Sequence, residues 1–216
     1  MDKNTIRVEL KAKVKELHTH SYLTLLSIGQ AVSFHLLAEN ISDNSNIMFP
    51  HQISQVHWIS WLLAIETFLA LILVWNDFFM VVSIFTWIPS LLDATILFLL
   101  FASEVCMAKT ITDPNNWLIS LIFFLFLSLA AFGNTYYQSS RRIENLTLFE
   151  LSRGRMKASM WMVSGLLALL IVITLLSNTF PWIYSVGIIL SLLIIISFTY
   201  RTIRHWQRTK AFIDGK

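Results

Sequence analysis

Six apolar stretches, near residues 21–38, 55–76, 84–107, 117–137, 159–178 and 181–200, occupy most of this chain. Each is close to the roughly 20 residues that an α-helix needs to cross a hydrocarbon core ~30 Å thick. In hydrocarbon a segment must satisfy its own backbone N–H and C=O groups, so runs of this length predict helices. The 216 residues leave no room for a separate soluble domain of ordinary size. The expected fold is all-α: a polytopic integral membrane protein, one transmembrane domain over 1–216 with six spans. Composition agrees, with 56% apolar and 13% charged residues and a mean hydropathy of +0.64, far from the balance of a soluble domain. The first stretch is short and carries Ser27, Gln30, Ser33 and His35, which suits a helix lining the interior. Pro89, if inside the third helix, would free the Phe85 carbonyl and kink the chain there.

Basic residues set the orientation, because Lys and Arg near span ends prefer the cytoplasmic side. Lys3, Arg7, Lys11, Lys13 and Lys15 precede the first span, and Arg141, Arg142, Arg153, Arg155 and Lys157 lie in a basic loop, 138–157. Arg201, Arg204, Arg208, Lys210 and Lys216 fall in the basic tail 201–216. With six spans all three groups share one side, and the opposite loops, around 39–54, 108–116 and 179–180, hold only Lys109. Both termini are therefore expected in the cytoplasm, in a bacterial-type inner or plasma membrane. Orientation accounts for the net charge of +3, so no nucleic-acid partner is invoked. Segment 1–20 is basic and amphipathic, with Ile6, Leu10, Val14 and Leu17 at helical spacing. It reads either as a short helix on the inner membrane surface or as a cytoplasmic continuation of span one, and not as a cleaved signal peptide. Trp58, Trp61, Trp75, Trp117 and Trp182 read as boundary anchors, and Gly29, Gly133, Gly165 and Gly187 as helix-packing points.

Between His18 and Lys109 there is no lysine or arginine, yet Glu66, Asp77, Asp93 and Glu104 sit in or beside apolar runs. A charge at the bilayer centre costs at least about 2.5–3.5 kcal/mol. Such acids therefore face a polar cavity, share a proton or hold a cation. With spans at the positions above, Glu66 and Asp93 fall near the midplane of consecutive antiparallel helices. Asp77 then falls near the inner water boundary and Glu104 near the outer one. Eleven residues separate Glu66 from Asp77 and Asp93 from Glu104, which returns each pair to within about 20° of one helix face. Two neighbouring carboxylates in low dielectric cannot easily both ionise, and a bound cation or one retained proton relieves them. Glu66 and Asp93 are thus the expected ion or proton site, with Asp77 and Glu104 as pathway ends. Leu69, Ala70, Leu73, Leu97 and Leu100 between them are apolar, so no continuous polar path is visible on these two helices.

Histidines give a second constellation. His35, His51 and His57 are expected near the outer mouth with Glu39, where imidazole and carboxylate would suit a divalent metal or a pH sensor. They form no HxxxH or HExxH unit, and His18, His20 and His205 are expected in solvent on the inner side. No cofactor is otherwise predicted. The single Cys106 forms no intramolecular disulfide or CxxC pair, and no apolar span carries the lysine that a retinal Schiff base needs. Gly-rich phosphate loops, a GxSxG elbow and a potassium-filter sequence are absent. These readings point away from an enzyme and toward a small channel or carrier for cations or protons, embedded in lipid and completed as a homo-oligomer. The competing expectation is a sensor, assembly factor or membrane effector acting through the basic loop, with an intramembrane lipid enzyme third.

Overall fold

The computed structural model describes residues 3–45, 58–84, 91–141, 146–177 and 182–213. Six helices are formed: α1 Lys3–Asp43, α2 Trp58–Ile84, α3 Leu91–Lys109, α4 Pro114–Ser140, α5 Leu146–Ser177 and α6 Trp182–Ile213. Among the described residues there is no strand. Five segments are long and apolar enough to cross a membrane: His20–Asp43, Trp58–Val82, Pro114–Ser140, Ser152–Leu176 and Ser185–Thr209. Helix α3, 19 residues long and carrying Asp93, Glu104 and Lys109, is not among them. An all-helical integral membrane protein is what these elements define.

Five of the six described helices are longer than the apolar runs that predict them. Helix α1 is one uninterrupted element of 41 residues, about 60 Å long, so residues 3–20 continue directly into span one. Helix α5 begins at Leu146 and takes in Arg153, Arg155 and Lys157, which the sequence reading assigns to a loop. The reason is local: Leu146–Lys157 contains no proline and only one glycine, Gly154, so a helix begun in water has nothing to stop it.

The helices close into a ring in the order α1, α2, α6, α5, α4, α3, and α3 returns to α1. Helix α2 also touches α3 and α4 across the interior, which makes it the hub of the bundle. Aromatic pairs fix the α1–α2 register: Tyr22 lies 6.2 Å from Phe78 and Phe34 lies 5.6 Å from Phe68, as antiparallel helices require. Helices α3 and α4 join through a tight turn. Asp113 caps α4 by accepting from the Asn116 amide at 3.2 Å, with Pro114 in the first turn. The Asn40 side chain donates to the Ala108 carbonyl at 2.9 Å and ties the end of α1 to the end of α3. Below, "upper" means the end with this turn and "lower" the end where α6 terminates.

Two glycines behave as packing points. A Cβ on Gly29 would meet the Phe101 ring of α3, and one on Gly187 would meet the Ile173 side chain of α5. Gly133 and Gly165 have nothing within 4 Å of where a Cβ would stand, so they are not close-approach points. Trp117 also departs from expectation. It is fully buried and donates its indole N–H to Thr67 at 2.8 Å, instead of anchoring at a boundary. Trp58 is exposed, as an anchor would be.

Candidate functional site

The bundle buries its acids in an otherwise apolar interior and turns large apolar side chains outward. Glu66, Asp77, Asp93 and Glu104 are all buried, while Leu92, Phe98, Phe123, Phe126, Trp161 and Leu193 are exposed. In lipid this arrangement is the stable one, since apolar side chains gain nothing by leaving hydrocarbon and polar groups gain partners by turning inward.

The upper tier gathers on Glu104. Gln30 of α1 donates its side-chain N–H groups to both carboxylate oxygens at 2.9 Å, and the Ser33 hydroxyl lies 3.4 Å from Oε2. The residues that make the first apolar stretch too polar for lipid are therefore the ones that meet this acid. The Gln30 Oε1 atom is buried without a partner. Turning this amide over would bring Oε1 to Glu104, which is a hydrogen bond only if Glu104 carries a proton to donate. The pair thus has an arrangement for each protonation state.

Glu66 is different. It is 0% exposed, and among the described residues neither Oε1 nor Oε2 has a hydrogen-bond partner. The Ser191 hydroxyl of α6 approaches it, but that hydroxyl donates to the Ile188 carbonyl at 2.9 Å. A charge held here would cost several kcal/mol, and a bound proton or cation removes that cost. The next residue, Thr67, is satisfied by Trp117 and by its own helix, donating to the Leu63 carbonyl at 2.8 Å.

The lower tier pairs its acids. Asp77 accepts from the Arg155 guanidinium of α5, which also reaches the Thr202 hydroxyl at 3.2 Å. Asp93 accepts from the Asn134 side chain of α4 and stands within electrostatic reach of Tyr22. The acids of the basic-free stretch are therefore not all without a cation, because the partner of Asp77 comes from 78 residues further along. Position explains how: Ser152, Arg155, Met156 and Ser159 follow one inward face of α5, whereas Arg153 and Lys157 are exposed.

Glu66 and Asp93 are not brought together. Asp93 lies in the first turn of the described helix Leu91–Lys109. Tyr22 connects Asp93 to the level of Phe78, twelve residues below Glu66 on α2, or about 18 Å along the axis. The expected midplane pair becomes two tiers, Glu66 and Glu104 above, Asp77 and Asp93 below. Of the proposed histidine cluster, His35 and Glu39 are exposed on α1, and His51 and His57 lie outside the described residues, as does Pro89. Among the described residues no three His, Cys, Asp or Glu side chains converge as metal ligands would. His20 is exposed, while His205 is half-buried, 3.3 Å from the Thr209 hydroxyl.

Between α2, α4, α5 and α6 lies a cavity of about 90 Å³. Ala70, Val74, Phe124, Leu125, Leu166 and Ile195 give it apolar walls, and among the described residues Asp77 is its only ionisable lining residue. A smaller cleft of about 20 Å³ adjoins it, sharing Asp77, Val81 and Phe132 and adding Ser152, Arg155 and Ser159. Sequence reasoning singles out the acids but misses Asn134, Arg155 and Thr202. An asparagine amid the apolar residues of α4 is the signal that points to the first; the other two become partners only through the fold. Comparison with protein-family models, with curated proteins and with solved structures gives no match.

Proposed function

We propose that this chain is a carrier that moves protons across a bilayer, with Glu66 as the site that loads and unloads them. The observation that carries the reading is the complete burial of Glu66 with both oxygens unpartnered. A proton suits such a site better than a metal cation, because hard metal ions take about six to eight oxygen ligands, whereas among the described residues the Ser191 hydroxyl is the polar neighbour of this carboxyl and no group of three His, Cys, Asp or Glu converges. Glu104, with a partner for either protonation state in Gln30, is the second station. Apolar side chains including Leu73, Val74 and Leu100 separate the tiers. Helix movement that relocates Glu66 therefore fits better than an open water-filled channel.

The reading takes α3 as a sixth span, with both termini on the cytoplasmic side of a bacterial-type inner or plasma membrane and copies associating as a homo-oligomer. Support for the sixth span is that α3 turns Leu92, Phe98 and Leu99 outward and Asp93, Ser103 and Glu104 inward. The test is proton flux into liposomes holding the purified protein and a pH-sensitive dye. Wild type should dissipate an imposed gradient, and Glu66→Gln should slow it at least about tenfold. Equal flux in the two would sink the proposal.

A further inference from the structure

We propose that the cavity between α2, α4, α5 and α6 binds an amphiphile with an anionic head, a few methylenes of its apolar chain filling the cavity, the rest of the chain extending beyond it, and its head at Arg155. This site is separate from Glu66, which does not line it.

The walls favour a chain over water. The Ser128 hydroxyl in the wall already donates to the Phe124 carbonyl at 2.9 Å, which leaves few groups to hold the two to four hydrogen bonds that a buried water needs. An apolar space of this kind is filled favourably by hydrocarbon, because its lining atoms otherwise lack partners on one side.

The lower end selects the head. Among the described residues, Arg155 uses one terminal nitrogen for Asp77 and Thr202, and the other meets the Met80 sulfur at 3.9 Å. Its Nε–H is buried and unpartnered, so the guanidinium has donors to spare for a carboxylate or phosphate oxygen. More positive charge stands nearby. Arg155 and Arg208 both lie within electrostatic reach of His205, and Arg201 approaches the Met162 sulfur in the cavity wall at 3.1 Å. Among the described residues that line the cavity and its adjoining cleft the one carboxylate is Asp77, already committed to Arg155. An ammonium head would face the cations without a free acid, whereas an anionic head completes the guanidinium.

Native mass spectrometry of the purified protein in neutral detergent tests this with oleate, oleyl alcohol and oleylamine, which share a chain and differ in head charge. Wild type should hold oleate at least about tenfold more tightly than either of the others. Arg155→Gln should abolish that preference while oleyl alcohol still binds, and Ala131→Phe, which projects a ring into the cavity, should weaken all three. Phosphatidylglycerol measured beside oleate separates the sources: tighter phosphatidylglycerol identifies a membrane lipid, and tighter oleate a free acid. Binding of oleylamine or oleyl alcohol as tight as that of oleate in wild type overturns the proposal, as does oleate binding untouched by Ala131→Phe. Glu66→Gln should leave all these affinities unchanged, which keeps this result apart from the proton-carrier reading.

Discussion

The two oxygens of Glu66 cost the bundle energy that a leucine in the same place would not. Each is buried and unpartnered, and such groups cost about 1–3 kcal/mol apiece, more when charged. Glu66→Leu should therefore raise the thermal midpoint in detergent while proton flux is lost. A lower midpoint would mean that the carboxyl is structural. Asp77 and Arg155 predict the reverse. Removing one partner leaves a poorly solvated charge, so Arg155→Met should destabilise by about 3 kcal/mol, and adding Asp77→Leu should recover most of it. Chemical denaturation of the single and double variants measures both. How legible these residues are follows from how local their chemistry is. Buried acids, and polar Gln30 and Ser33 in the first span, are visible as wrong residue types for lipid. That Arg155 would turn inward is not visible, because it depends on where α5 begins and on the facing of α2.

At the scale of the helix, lengths are written in the apolar runs but ends are not. Hydropathy marks where lipid is, and a helix continues past that point until a cap or a breaker stops it. That is why α5 takes in Arg153, Arg155 and Lys157. Where a cap is spelled out, as Asp113-Pro114 spells the start of α4, the boundary is readable. Asp113→Ala should cost about 1 kcal/mol. Helix approach gives a sharper contrast. Gly29→Val must displace the Phe101 ring and push α1 from α3, an overpacking cost of about 1–3 kcal/mol. Gly165→Val meets nothing and should leave the thermal midpoint within error of wild type.

At the scale of the molecule, six crossings put both ends of the chain on one side of the membrane, and five would put them on opposite sides. If α3 crosses as proposed, single cysteines at Lys3 and Lys216, in a Cys106→Ser background, should react together with an impermeant thiol reagent in inverted vesicles and neither in right-side-out ones; five crossings would expose one in each. The closed ring has an implication for how the protein is made. Asp77 and Arg155 are 78 residues apart, and a ribosome adding ~5–20 residues per second takes roughly 4–16 s to cover that distance. During those seconds α2 is in or near the bilayer while the arginine that will neutralise it has not been synthesised. The hub of the bundle thus enters the bilayer ahead of its counterion, and a proton on Asp77 is the simplest way to carry that carboxyl through the interval.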